Sequence, residues 1–163
     1  MNGVREPILR ALQALEIPYE LFEHPPVHTA GEAAIHWQSI AGNAVKNLFL
    51  RNKKGDRHYL VILGIDKQAD LRHLVKAIGD DRLSFGSPER LQKYLGVAPG
   101  SVSPLGLIHD SARAVRVIVD SDLHTADRLI FHPNDNTASL TISGSDFQRF
   151  LADRGNSVRW ISL

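Results

Sequence analysis

Apolar residues recur at Ile8, Leu9, Leu12 and Leu15, the spacing of one helical face, and Pro7 suits a first helical turn. YELFEH then predicts a short strand, which the prolines of HPPVHTAGEAA interrupt. Thr29 followed by Glu32 three residues later is a capping-box pattern and predicts a helix over roughly residues 30–37. AVKNLFLRNKKGDRHYLVIL, residues 44–63, reads as two strands around a polar turn, with Gly55-Asp56 suited to unusual backbone angles. Two-residue periodicity puts Lys46, Leu48 and Leu50 on one face and Val45, Asn47 and Phe49 on the other. YLVILG is almost continuously apolar, the pattern of a central strand covered on both sides. DLRHLVKAIG and SPERLQKYLG are helical, the second capped by Ser87 and ended by Gly96. AVRVIVDSDL is a strand, RLIFHP and ASLTIS form a hairpin around NDNT, and SDFQRFLADRG is a last helix, with Ser145 as its cap and Gly155 as its stop. SVRWISL closes the chain as a strand. Strands and helices mix without strict alternation, which predicts one α+β (mixed α/β) domain over residues 1–163 with a mixed sheet.

The 163 residues are enough for a real core, and 43% hydrophobic with 23% charged residues is ordinary for a soluble globular protein. Absence of cysteine excludes disulfides and thiolate chemistry. Charges at Arg5, Glu6 and Arg10 break the N-terminal stretch, so no signal peptide is expected; no run is long enough to span a bilayer, and the expected location is cytoplasmic. A formal net charge of +1 argues against a general polyanion binder but allows a local basic patch. Such a patch lies at RNKKGDRH, where Arg51, Lys53, Lys54 and Arg57 stand against Asp56. It reads either as a solvated hairpin tip or as a phosphate contact.

Three further positions carry two readings each. Lys46 is a strand-end lysine with its ammonium in water, or a cation lining a pocket. Gly100, Ser101, Val102, Ser103 and Pro104 form a connector, or a loop whose free amides hold a carbonyl or an amino acid's polar groups. His132, at the end of an apolar strand, is a satisfied half-buried side chain or a pocket-rim donor or acceptor. His24, His28 and His36 suggest a metal test, but Pro25 and Pro26 forbid the helix that would align the first two, so neither metal nor cofactor is expected. No GxSxG, GxGxxG or GxxxxGK[ST] pattern occurs.

EHPPVHT, AVKNLFL, YLVIL, GVAPGSVSP, VIVDSDL and FHPNDNT follow one another in an order that resembles the YbaK/ProX-type aminoacyl-tRNA deacylases, which include the insertion editing domain of bacterial prolyl-tRNA synthetases. The resemblance runs from about Tyr19 to Leu163 and is greatest to the free-standing branch that clears alanine from proline tRNA (ProXp-ala). It implies a mostly antiparallel central sheet flanked by helices and hydrolysis of mischarged Ala-tRNA(Pro), with Cys-tRNA(Pro), another small-amino-acid ester or a non-catalytic tRNA-binding relic as alternatives. A small-molecule amidase or esterase has no visible nucleophile. By position the resemblance makes Lys46 the site lysine at the 3′-terminal adenosine or its phosphate. It makes Gly100 to Pro104 the loop holding the aminoacyl group, His132 a size-setting pocket residue, and Asp120 a carboxylate at a strand end. Thr29 is the threonine after HPPV, and His28 stands where the family commonly has an aromatic. In the family mechanism the tRNA's own 2′-hydroxyl orients the water, so no protein base is required. The implied partners are the acceptor end of tRNA(Pro) and prolyl-tRNA synthetase, with no membrane.

Overall fold

The computed structural model describes residues 3–163; Met1 and Asn2, at the start of the expected domain, lie outside the described residues. The chain runs α1 (Glu6–Ala14), β1 (Glu20–Glu23), α2 (Ala30–Trp37), β2 (Asn43–Arg51), β3 (His58–Gly64), α3 (Leu71–Ile78), β4 (Ser84–Phe85), α4 (Pro88–Leu95), β5 (Val115–Asp120), β6 (Arg128–Phe131), β7 (Ala138–Ser143), α5 (Gly144–Arg154) and β8 (Val158–Ile161). The eight strands form one sheet in the order β1-β7-β6-β2-β3-β5-β8, with β4 beside β2. Pairing is antiparallel at β1–β7, β6–β7, β2–β3 and β2–β4, and parallel at β2–β6, β3–β5 and β5–β8. The sheet is mixed, as the sequence predicts.

The apolar run of β3 has the expected cause. Leu60 and Ile62 pack with Phe49, Leu91, Leu95, Phe147 and Phe150 on the side of α1, α4 and α5. Tyr59, Val61 and Leu63 pack with Leu50, Leu74, Ile78 and Ile118 on the side of α3. Each fully buried side chain of this size contributes about 1.5–3 kcal/mol over its exposed state. A smaller group of Val27, Ala33, Trp37, Ile40 and Ile130 lies under α2.

Local signals set the element ends. The Thr29 hydroxyl accepts from the Glu32 amide at 3.1 Å, while the Glu32 carboxylate accepts from the His28 amide at 3.0 Å. Ser87 caps α4, and Gly96 and Gly155 end α4 and α5 in the left-handed region. The cap of α5 differs from the expectation: Ser143, not Ser145, accepts the Asp146 amide at 3.1 Å. Helix starts here because Gly144 packs on the loop before β6, where a Cβ would meet the Ala126 carbonyl oxygen at 2.0 Å. Short structure that sequence periodicity did not announce comprises β4 and 3-10 turns at Pro104–His109 and Ser121–Leu123.

His58, at the start of β3, is buried with Arg90 donating to its Nε2 at 2.7 Å. Burial, then the charges of Arg90, Lys93 and Arg51, push its pKa down to about 4. The unfolded chain therefore binds one more proton than the folded chain between pH ~6.5 and ~4, and stability falls as pH drops through that window. Solvent screening leaves on the order of 1–2 kcal/mol for this group. In His58→Gln, urea unfolding at pH 7 and pH 4.5 should show a smaller acid loss than in the parent; an equal loss would assign the acid sensitivity elsewhere.

Candidate active site

A split in the sheet creates the site. β6 pairs with β2 only at Asn43 and Ala44, and β4 joins β2 only at Leu50 and Arg51. Between them, residues 45–48 have a strand neighbour on the β3 side alone. The Phe49 carbonyl accepts from the Gly86 amide on this edge at 2.9 Å, so alternation turns the backbone groups of Val45 and Asn47 toward the same edge. A cleft of about 260 Å³ lies along it, and both faces of β2 contribute through Val45, Lys46, Asn47 and Leu48.

Several distant segments complete the lining. Val27, His28 and Thr29 come from the stretch before α2, Ala33 and Trp37 from one face of α2, Ile65 from the end of β3, and Gly100 and Val102 from the loop after α4; His132 closes the cleft. Lys46 is half-buried, and among the described residues no carboxylate lies within ion-pair distance of it. Lys46 lines the cleft, and no partner for its ammonium lies among the described residues. Asn47 reaches across to donate to the Val102 carbonyl at 3.3 Å, tying β2 to the loop.

The five-residue loop divides by role. Gly100, at φ 92°, and Val102 line the cleft, and among the described residues nothing accepts from their amides. Ser101, Ser103 and Pro104 do not line it. The Ser101 amide is bonded to the Ala98 carbonyl, the Ser103 hydroxyl accepts from the Leu105 amide at 3.1 Å, and Pro104 opens the 3-10 turn. Gly106 holds that turn against α4, because a Cβ there would meet the Leu95 carbonyl oxygen at 2.7 Å.

His132 is buried, and its Nδ1 donates to the Ala138 carbonyl at 2.9 Å. Burial and the neighbouring His24 push its pKa down, against the opposing carbonyl bond. It is therefore neutral at pH 7, with Nε2 left as an acceptor. Trp37 stands beside it, ring centroids 5.4 Å apart. The indole N–H donates to Ser139 Oγ at 2.6 Å, Ser139 lies 2.8 Å from His24 Nε2, and His24 Nδ1 donates to the Pro25 carbonyl at 2.9 Å. This chain fixes the wall of the cleft.

Other sequence-selected residues lie elsewhere. Asp120 is fully buried but outside the cleft lining; it pairs with Lys67 at 2.6 Å and accepts from the Asp122 amide. The resemblance implies a substrate-binding role for Asp120; in the fold its carboxylate faces Lys67, apart from the residues lining the cleft. Arg57 forks onto Asp80, which also accepts from the Tyr59 hydroxyl; these bonds hold the Asp80 carboxyl below its usual range. That leaves Lys53 and Lys54 as the exposed cations of the hairpin tip. Both lie at the end of β2 away from Lys46. Among the described residues no group of three or more His, Asp or Glu is arranged to hold a metal ion, and no helix is long and apolar enough to cross a membrane.

Residues 24–150 match the family model described as the aminoacyl-tRNA editing domain. The chain belongs to this family. A prolyl-tRNA editing protein, ProX, from Acetoanaerobium sticklandii is 39% identical over 159 residues, covering 98% of this chain and 97% of the relative. A prolyl-tRNA synthetase associated domain-containing protein from Bos taurus is 33% identical, covering 94% and 91%. The crystal structure of a candidate trans-editing enzyme for prolyl tRNA synthetase has a TM-score of 0.74 at 23% identity, covering 100% of this chain and 99% of that one, and shares the fold.

The chemistry of an aminoacyl-tRNA editing domain is deacylation, and among the described residues lining this cleft no hydroxyl is hydrogen-bonded to a histidine or carboxylate base. An aminoacyl ester is already activated, so a positioned water and a polarised carbonyl suffice. The sequence did not single out Val27, Ala33, Trp37, Leu48 or Ile65 as lining residues. The available signal was the i, i+4 spacing of Ala33 and Trp37, a small residue beside a large one on one helix face.

Proposed function

We propose that this editing domain is a trans-editing hydrolase that removes alanine from mischarged tRNA(Pro). The observation carrying this reading is the unpaired Lys46 at the mouth of a small cleft walled by Val27, Ala33 and Trp37. Its similarity over nearly the whole chain to a prolyl-tRNA editing protein supports the choice of tRNA. Lys46 anchors the anionic 3′ end. The free amides of Gly100 and Val102 donate to the ester carbonyl oxygen, and His132 Nε2 accepts from the α-ammonium group. Thr29 borders the entrance. A water oriented by the terminal 2′-hydroxyl attacks the carbonyl carbon; the bond to the ribose oxygen breaks, and the proton lost by water goes to that oxygen. Lys53 and Lys54 at the hairpin tip meet phosphates further along the RNA. No bound cofactor enters this scheme.

Such an activity has a physical motive. A synthetase site that fits proline cannot exclude alanine sterically, because each missing methylene is worth only about 1–3 kcal/mol. A smaller second site corrects the error. Single-turnover hydrolysis should be far faster on Ala-tRNA(Pro) than on Pro-tRNA(Pro). Preference for Cys-tRNA(Pro) would move the protein to a sibling specificity, and tRNA binding without ester loss would make it a non-catalytic binding module.

A further inference from the structure

Arg51 and Arg90 converge at the end of β2 away from Lys46. A Cβ on Gly55 would meet Arg90 Nη2 at 2.8 Å and Arg51 Nη1 at 2.9 Å. The two guanidinium groups therefore lie at most about two hydrogen-bond lengths apart. Arg90 is held by its bonds to the Gly55 carbonyl, 3.0 Å, and to His58 Nε2. Beyond the strand pairing of its backbone, the Arg51 side chain makes no hydrogen bond or ion pair among the described residues, and no carboxylate lies within ion-pair distance of either arginine. Nearby acids are committed elsewhere: Asp56 accepts from Asn52, and Asp110 is buried on the amides of Ala114 and Val115. Lys93 lies 5.2 Å over the half-buried Tyr94 ring, which packs on His58 with ring centroids 4.3 Å apart. Two like charges brought together without a counterion repel each other, and an anion placed between them turns that cost into attraction.

We infer that Arg51 and Arg90 form a clamp for a backbone phosphate of the substrate RNA, an inference that rests on the tRNA reading above. A planar guanidinium fork matches phosphate oxygens, and two forks at this separation can share one phosphate. Arg51 lies on the same face of β2 as Asn47, the residue that ties the strand to the cleft loop. Five residues separate Arg51 from Lys46, about 17 Å of strand. That is the axial length of about five stacked nucleotides. The clamp thus engages RNA beyond the three terminal nucleotides, while the cleft holds the esterified end. Gly55 is required in the turn twice, for its φ of 78° and because a side chain would enter the space between the two arginines.

Arg51→Gln is the sharpest probe, since the Arg51 side chain is bonded to no other group among the described residues. Binding of tRNA(Pro) to wild type and variant is measured by fluorescence anisotropy across a salt series. Deacylation is followed on Ala-tRNA(Pro) and on an alanylated CCA trinucleotide too short to reach the clamp. The variant should bind tRNA about tenfold more weakly, with a log–log salt slope reduced by about one, and should hydrolyse the trinucleotide at the wild-type rate. Arg51→Lys should recover part of the affinity. Unchanged tRNA affinity and slope would overturn the clamp, even where both substrates are hydrolysed and the editing reading stands. Equal slowing on the trinucleotide would also overturn it, by tracing the effect to the cleft. Loss of inorganic phosphate binding with tRNA affinity intact would assign the site to free phosphate and overturn the RNA assignment. Failure of the wild type to hydrolyse either ester, with tRNA binding still weakened in the variant, would sink the editing reading and leave the clamp supported.

Discussion

Lys46→Ala is expected to lose one to two decades of single-turnover deacylation on Ala-tRNA(Pro) while keeping its fold. Lys46 is half-buried at the start of β2, opposite Leu63, and has no ion-pair partner among the described residues. Removing it orphans no carboxylate, and lysine contributes little buried area beyond its stem. The substrate end is anionic and the cleft partly excludes water, where a charge-assisted contact gains strength. Such a contact is worth about 1.5–3 kcal/mol. Fully expressed in the transition state, that is about one to two decades in rate. Lys46→Arg should rescue only in part, because its longer planar fork places its donors elsewhere. Circular dichroism and thermal melting serve as the fold control. A folded Lys46→Ala protein with the wild-type rate would return this lysine to a solvated strand end.

Trp37→Ala should be the most destabilising of the substitutions considered and should also relax discrimination. Trp37 is only 6% exposed, packs with Val27, Ala33, Ile40 and Ile130, and donates to Ser139. Truncation of a buried aromatic of this size costs about 3–5 kcal/mol. For a chain of this length that is about 6–20 °C in Tm. The vacated space adjoins His132 and widens the cleft, so Pro-tRNA(Pro) should gain access and the ratio of alanine to proline hydrolysis should fall by about 10–200-fold. Trp37→Phe separates the two effects: it keeps most of the wall but leaves the Ser139 hydroxyl without its indole donor, for a cost of about 1–3 kcal/mol. Retained discrimination in a folded Trp37→Ala protein would show that the amino-acid filter lies elsewhere in the cleft.

Much of the fold was legible because the forces that set it are local. The cap at Thr29, the stops at Gly96 and Gly155 and the turn at Gly55 act over a few residues of chain. Alternation along β2 and the apolar run of β3 report burial on one face or two, and this was readable without knowing what covered them. The placement of Ser145 as a cap failed for a tertiary reason: close approach of Gly144 to the Ala126 carbonyl brings the helix start forward. Lys46, the loop at Gly100–Pro104 and His132 lie in ordered stretches that resemble a family, and Lys46, Gly100, Val102 and His132 line one cleft.

What made those stretches a cleft was decided in three dimensions. β6 leaves β2 after two paired residues, and that split opens the edge where Lys46 and Asn47 stand. No periodicity along β2 encodes where a strand more than eighty residues later will stop pairing. The same holds for charge. Asp120 looked available until Lys67 met it, Arg57 looked free until Asp80 did, and Arg51 and Arg90 look ordinary until the turn at Gly55 brings them together. Sequence alone determined the longer helices and strands, the two-sided burial of the central strand and the family to which the ordered motifs point. Tertiary structure alone decided which polar groups are neutralised and which remain unpaired, because Coulombic and hydrogen-bond partners are chosen by distance in space rather than along the chain.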